Sequence, residues 1–106
     1  MSTPLLRPGT GRDDAYLLTL AAQADLDGIW DYDFRIWGAA QAETYLRAIA
    51  AACAGLADGT TASQDAGHVR AGYRKAISGR HVLFYRRSEA QIVVVRILHQ
   101  RMDGDA

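Results

Sequence analysis

The chain has 106 residues, of which 49% are apolar and 8% aromatic, and its formal net charge at pH 7 is zero. These values are typical of one small folded domain and argue against an intrinsically disordered chain. No apolar run approaches the roughly 20 residues of a membrane-spanning helix, and the N-terminus lacks the apolar core of a signal peptide. Cys53 is the single cysteine, which excludes an internal disulfide and favours a reducing cytoplasm.

Positive and negative charges are separated along the chain. Residues 13–65 contain nine acidic and two basic side chains, whereas residues 66–102 contain eight basic side chains and one acidic one, Glu89. Such a basic second half favours an acidic binding partner. The alternative is that the two halves neutralise each other across the fold.

The N-terminal third predicts a leader, a strand and a helix. Residues 1–14 hold both prolines and show no periodicity, which predicts a flexible leader. The apolar run 15–20 predicts a short strand, with Thr19 available as a helix cap. Large apolar residues then recur at helical spacing and predict a helix over 21–37 that ends at Gly38, with one apolar stripe made by Leu26, Ile29, Trp30, Phe34 and Trp37.

A second helix is predicted from Ala39 to about Leu56, since Tyr45, Leu46, Ile49 and Cys53 fall on one stripe with Ala42 and Leu56. The two helices are joined at Gly38 with almost no connecting chain, so they are expected to form an antiparallel hairpin. The position of Cys53 on the inner stripe favours a small buried hydrophobe over a nucleophile.

The C-terminal half predicts a β-meander. After a polar loop at 57–68, alternating residues predict a strand over 69–77, a turn at Ser78-Gly79, a strand over 80–87, a turn at 88–90 and a last strand over 91–98. We therefore expect an α+β fold of order β-α-α-β-β-β, with a helical hairpin on a three- to four-stranded antiparallel sheet. The single domain covers residues 15–103, and residues 104–106 form a tail.

Both faces of this predicted sheet are apolar, while two helices can cover only one of them. An uncovered apolar face with arginines at its margin predicts a binding groove for another chain. The alternative is that the leader or the loop at 57–68 folds over this face.

Basic residues of the sheet form a second candidate site. Arg70 and Arg74 are predicted on one face of their strand, and they could cluster with Arg86, Arg96, His99 and Arg101. Arginine suits carboxylates and phosphates alike. The last strand runs without a turn residue into His99, Gln100 and Arg101, which indicates that it presents polar groups to a partner. Alternatively, these arginines pair with the acidic helices at the surface.

Patterns for metal or cofactor chemistry are missing from the sequence. His68, His81 and His99 match no common ligand spacing. Residues 9–12, GTGR, lack the flanking strand and helix of a phosphate-binding loop. Asp27 and Asp31 are one turn apart, which an exposed helix face explains without acid–base chemistry. We expect neither a metal nor a cofactor.

Three segments together resemble the ParE toxins of bacterial ParDE toxin–antitoxin modules, within the wider RelE/ParE superfamily. They are DLDGIWDYDFRIWGAAQAETYLRAI at 25–49, VRAGYRKAISGRHVLFYR at 69–86 and IVVVRILHQRMD at 92–103. The similarity runs from about Tyr16 to Asp103. Each segment is weak by itself, but their combination is specific.

This resemblance implies a cytoplasmic toxin, of the kind associated with plasmid stabilisation, that inhibits DNA gyrase by protein–protein contact and has no chemistry of its own. It implies neutralisation by a ParD-like ribbon-helix-helix antitoxin in a toxin–antitoxin hetero-oligomer, with no membrane association and no direct nucleic-acid binding by the toxin. The residues expected to contact the target or the antitoxin are Arg70, Tyr73, Arg74, Arg86, Arg96, His99 and Arg101.

Ribosome-dependent mRNA interferases of the RelE type are the alternative within the superfamily. They need an acid–base pair and cations near the scissile phosphate. In this chain the candidate catalytic residues are Arg74, Arg96 and His99, while the second helix has only Arg47 and the tail has no tyrosine. A further option is a degenerate member that binds an antitoxin without harming the cell.

Overall fold

The computed structural model describes residues 6–8, 16–88 and 91–102. Its elements follow the predicted order, with two additional short strands. In chain order they are β1 (Leu6–Pro8), β2 (Tyr16–Thr19), α1 (Leu20–Trp37), α2 (Ala39–Asp58), β3 (Gln64–Asp65), β4 (Arg74–Ser78), β5 (His81–Ser88), β6 (Gln91–His99) and a 3₁₀ turn (Gln100–Met102). The α+β fold and the helical hairpin are confirmed.

The helices begin and end where their capping residues predict. The hydroxyl of Thr19 accepts a hydrogen bond from Ala22 N at 3.0 Å and caps α1. Gly38 adopts φ of +93°, a region that favours glycine, and its N–H donates to Phe34 O. Because α2 starts at the next residue, α1 and α2 fold back on each other. Within the described residues, neither helix is long and apolar enough to span a bilayer.

The strands form one sheet in the order β1-β2-β6-β5-β4-β3. The prediction of a purely antiparallel sheet is wrong at one position, because β2 runs parallel to β6. Leu6–Pro8, part of the predicted leader, instead pairs antiparallel with β2. The rest of that leader, and the predicted tail at 104–106, lie outside the described residues.

The free edge of β6 beyond Val94 is completed by the side chains of Thr19, which caps α1, and of Asp25 in the helix. β2 pairs with β6 only as far as Val94. Beyond that point the hydroxyl of Thr19 donates to Val95 O at 2.9 Å, and the carboxylate of Asp25 accepts from Ile97 N at 2.8 Å. Since backbone polar groups removed from water need partners, these two contacts fix the start of α1 against the sheet.

The predicted strand over 69–77 is shorter than expected. Residues 66–73 form turns instead, with Val69 N donating to Ala66 O and Tyr73 N donating to Arg70 O. Arg70 and Arg74 therefore do not share a strand face, which corrects the prediction. The hairpin also turns one residue later than predicted, at Gly79 and Arg80, since Ser78 already pairs with His81.

The main core lies between the helical hairpin and one face of the sheet. A smaller cluster covers the opposite face, where Val82 and Phe84 pack with Ala66, Tyr73, Val95 and Leu98. All residues of β5 from His81 to Tyr85 are buried. The prediction of an uncovered apolar sheet face is therefore wrong at the central strand. Ala66 of the 57–68 loop packs there, as the alternative interpretation allowed, and Tyr73 beyond that loop packs beside it.

Most of the exposed large apolar residues lie on α1, although Ile77 on β4 and Val69 in the preceding turn are also exposed. Trp30, Phe34 and Trp37 are 37%, 50% and 59% exposed, and the rings of Trp30 and Phe34 stack with centroids 6.0 Å apart. Ile29 and Asp33 face inward, and each following residue is turned by about 100° around the helix. The predicted single stripe is therefore split. Ile29 faces the core, whereas Trp30 and Phe34 lie on an exposed flank of the helix.

Gly79 is expected to tolerate no side chain. Its φ is +59°, and an added Cβ would lie 2.7 Å from the hydroxyl of Tyr45. Gly79→Ala should lower the free energy of unfolding by at least the roughly 1–2 kcal/mol that the left-handed conformation costs, as measured by urea denaturation. Gly28→Ala is the matched control, because nothing lies within 4 Å of its added Cβ. Equal midpoints for the two variants would contradict this account of the turn.

Candidate functional site

A cleft of about 820 Å³ opens between α1 and the ends of β5 and β6. One wall is α1, with Asp25, Tyr32, Asp33 and Trp37, and the other consists of Arg80, His81, Arg96, His99 and Arg101. We call this the C-terminal cleft. It brings charged and aromatic side chains together from residues distant in sequence.

Arg96 is held at one end of the cleft by a two-point ion pair. Its Nε and Nη2 donate to the two carboxylate oxygens of Asp25 at 2.8 and 2.9 Å. The hydrogen bonds from Asp25 raise the pKa of Arg96 above its ordinary value. Asp25 also accepts from Ile97 N, so Arg96 supports the residue that closes the sheet edge. This contact accounts for an arginine inside a run of β-branched residues.

A buried carboxylate lies at the centre of the cleft. Asp33 is 1% exposed, and Nη2 of Arg80 is 3.2 Å from each of its carboxylate oxygens. The guanidinium of Arg80 also stacks over the ring of Tyr45, 4.4 Å from its centroid. The Arg80 side chain thus connects both helices to the β4–β5 turn. The pair of Asp33 and Arg80 was not predicted from the sequence. The one sequence signal for it is that Asp33 follows the inward-facing Ile29 by one helical turn.

The hydroxyl of Tyr45 satisfies three polar groups at the same turn. It accepts from Arg80 N at 2.8 Å, donates to Ser78 O at 3.2 Å, and lies 2.7 Å from Nδ1 of His81. A phenol has one proton to donate and two lone pairs. If that proton goes to Ser78, the bond to His81 requires Nδ1–H as donor, and Nε2 of His81 is then the nitrogen that can take up a proton.

The two histidines of the cleft form an edge-to-face pair, with ring centroids 5.4 Å apart. Burial lowers the pKa of His81, and the positive charges of His99 and Arg80 lower it further. Nδ1 of His99 accepts from Arg101 N at 3.1 Å. A backbone N–H can only donate, so neutral His99 carries its proton on Nε2.

The structure brings together three of the predicted site residues, since Arg96, His99 and Arg101 all line the C-terminal cleft. Arg74 is elsewhere: it pairs with Tyr85 across the sheet, whereas His99 pairs with His81. The two partners, Tyr85 and His81, are four residues apart on β5, a distance of about 13 Å along the strand. Arg74 donates instead to Ser63 Oγ at 3.1 Å. The predicted catalytic set of Arg74, Arg96 and His99 is therefore not assembled.

The remaining predicted contact residues also lie away from the cleft. Arg70 is exposed in the turn before β4, and Tyr73 packs into the smaller core cluster. Arg86 is half-buried on β5, opposite Val93. These three residues do not form one cluster with the residues of the cleft.

The structure also bears on a cysteine nucleophile and on a metal site. Cys53 is buried as predicted, and its burial raises the pKa of the thiol to about 12, which disfavours a nucleophilic thiolate. Among the described residues, no three histidine, cysteine or acidic side chains lie close enough together to hold a metal ion.

Comparison with known proteins identifies the family. Residues 16–104 match the family model described as the ParE toxin of the type II toxin–antitoxin system parDE. The chain is 48% identical over 91 residues to Toxin ParE1 of Mycobacterium tuberculosis, covering 85% of this chain and 93% of the relative. It is 41% identical over 91 residues to Toxin ParE1 of Caulobacter vibrioides, covering 86% and 94%. The chain therefore belongs to the ParE toxin family of type II toxin–antitoxin systems.

A solved structure has the same fold. It is described as the chromosomal ParDE TA system from P. aeruginosa and superposes with a TM-score of 0.66, covering 77% of this chain and 90% of that one. At 22% identity, this similarity concerns the fold alone. The resemblance of the three sequence segments to ParE toxins is thus confirmed at the level of family and fold.

Removing the Arg80 cation is expected to destabilise the domain by leaving Asp33 unpaired. Loss of one partner of a buried ion pair costs about 3–5 kcal/mol, and because the Arg80 side chain is 43% exposed, we expect about 2–3 kcal/mol for Arg80→Gln in urea denaturation. Arg87→Gln, at an exposed position of β5, is the charge-matched control and should cost under about 0.5 kcal/mol. Adding Asp33→Asn to Arg80→Gln should recover part of the loss; a further full loss would contradict the pairing.

The depressed pKa of His81 predicts a loss of stability in mild acid. In the unfolded chain His81 takes up a proton near pH 6.5, and in the folded chain only at lower pH. Its contribution to stability is therefore complete above about pH 6.5 and is lost as the pH falls through the folded pKa. The free energy of unfolding should drop between pH 7.5 and 5.5, and less in His81→Gln. The control His68→Gln, in an exposed turn, should follow the wild-type profile.

Proposed function

We propose that this toxin inhibits DNA gyrase by direct protein–protein contact in the cytoplasm, and that a ParD-like ribbon-helix-helix antitoxin neutralises it in a hetero-oligomer. Membership of the ParE family supports the toxin role. The relatives from M. tuberculosis and C. vibrioides are both named ParE toxins, and the similar structure is described as a ParDE system.

One observation carries the proposal that contact, and not catalysis, causes toxicity: the catalytic set is not assembled. A general acid or base must lie within hydrogen-bonding reach of its substrate and have a nitrogen or oxygen available for the proton. Nδ1 of His99 is already occupied by Arg101 N–H, and the charge of Arg96 is paired with the carboxylate of Asp25 through Nε and Nη2. Arg74 lies on β4 opposite Tyr85, four residues along β5 from the partner of His99.

The flank of α1 supports contact with another protein. Aromatic side chains are rarely left exposed in groups on a monomer, and they are enriched at protein interfaces. Trp30 and Phe34 stack at the surface, beside an apolar groove between α1 and α2 that Leu26, Leu46 and Ala50 help to line. We place antitoxin contact here, because the sheet face first predicted for it is already packed.

A ribosome-dependent mRNA interferase is the second candidate. The observation that favours it is the pair of histidines beside Arg101 in one open cleft. In this candidate His99 supplies a proton and the arginines stabilise the charge that develops on the phosphate.

The two candidates make opposite predictions for His99→Ala. Purified toxin should inhibit supercoiling by the host's gyrase and leave mRNA intact in an in vitro translation reaction, and His99→Ala should inhibit gyrase as well as the wild type does. Adding the ParD-like antitoxin should restore supercoiling. In the interferase, His99→Ala would abolish both mRNA cleavage and toxicity.

Three outcomes decide between the possibilities. Unaffected gyrase together with cleaved ribosome-bound mRNA would refute gyrase inhibition. Normal growth after induction of the toxin without antitoxin would refute both candidates and indicate a degenerate member. Restoration of supercoiling by an unrelated protein as effectively as by the antitoxin would refute specific neutralisation.

A further inference from the structure

We propose that the C-terminal cleft binds an acidic side chain of a protein partner, with a neighbouring apolar side chain of that partner against the aromatic wall. The proposal rests on the proposed function in assuming that the toxin acts through protein contacts. It assigns a ligand chemistry to a site separate from the exposed flank that Trp30 and Phe34 form on α1.

The charges of the cleft leave one arginine available for a partner. Arg80 and Arg96 pair with Asp33 and Asp25, respectively. Arg101 is exposed at the mouth, and no carboxylate of the described residues lies within ion-pair distance of it. Counted over the described residues that line it, the cleft contains three arginines against two aspartates, an excess of one positive charge that an incoming carboxylate would balance.

The histidines provide hydrogen-bond donors beside that charge. Neutral His99 has its proton on Nε2, because Arg101 N occupies Nδ1. His81 is surrounded by His99, Arg80, Asp33 and Asp25, and the net effect of these groups and of burial is a lowered pKa. An added carboxylate would oppose this effect, so binding should raise the pKa of His81.

The walls of the cleft suit an apolar neighbour of the acidic group. Trp37 and Tyr32 are 59% and 56% exposed, and Ile29 and Leu98 line the interior. An aliphatic or aromatic side chain placed there would remove this aromatic surface from water. Specific pockets commonly combine such apolar walls with a few polar groups that fix orientation.

The same charges disfavour a nucleic-acid strand. Binding of a phosphate backbone depends on several uncompensated cations. Here two of the three arginines are already neutralised by Asp25 and Asp33, whose carboxylates would also repel successive phosphates. A single carboxylate on a protein side chain matches the one available arginine.

The test is titration of the ¹⁵N-labelled full-length toxin with the capped tripeptide acetyl-Leu-Glu-Trp-amide, observed through the imidazole resonances of His81 and His99. We expect saturable shifts of both rings and an increase in the pKa of His81. Arg101→Gln should weaken binding about tenfold, since a charge-assisted hydrogen bond is lost. The control Arg87→Gln removes an equal charge from an exposed position outside the cleft and should change affinity less than twofold.

Three results would overturn the proposal. They are equal binding of the control peptide acetyl-Leu-Gln-Trp-amide, in which glutamine replaces the glutamate, tighter binding of a single-stranded RNA oligonucleotide, or no shift of either imidazole. If Arg101→Gln and Arg87→Gln weakened peptide binding equally, the binding would depend on the net charge of the protein and not on the cleft. That result would also overturn the proposal. The titration contains no gyrase and no antitoxin. Its failure is therefore distinguishable from failure of the proposed function, which the supercoiling assay tests.

Discussion

The fold depends on the buried carboxylate of Asp33 and its contact with Arg80. A charge removed from water requires a partner, and Arg80 supplies it from the β4–β5 turn while stacking on Tyr45 of α2. The helical hairpin and the sheet are thereby joined at the end where His81 and His99 lie. The geometry of the C-terminal cleft follows from this contact, because its walls are the elements that Arg80 connects.

The second constraint is the edge of β6. The parallel pairing with β2 stops at Val94, and beyond it the side chains of the capping residue Thr19 and of Asp25 on α1 bond to β6. Arg96 then pairs with Asp25 at the surface. Two arginines of the basic C-terminal half are thus used internally against two aspartates of the acidic half. The separated charges of the sequence thus neutralise each other in part across the fold, and we propose that the exposed Arg101 serves a partner.

Burial of the second sheet face changes where partners are expected. With Val82 and Phe84 packed against Ala66, a prominent exposed apolar surface is the flank of α1 that carries Trp30 and Phe34. For this member of the ParE family we therefore propose two recognition surfaces, the aromatic flank of α1 and the charged C-terminal cleft.

The sequence by itself determined the order of elements, the capping of α1 by Thr19, the hinge at Gly38 and the burial of Cys53, because these depend on local periodicity and backbone preference. It also carried the family resemblance. Only the tertiary structure decided that β2 runs parallel to β6, that Arg74 lies far from His99, and that Asp33 pairs with Arg80. These facts depend on which residues meet across the sheet, and neither helical nor strand periodicity contains that information.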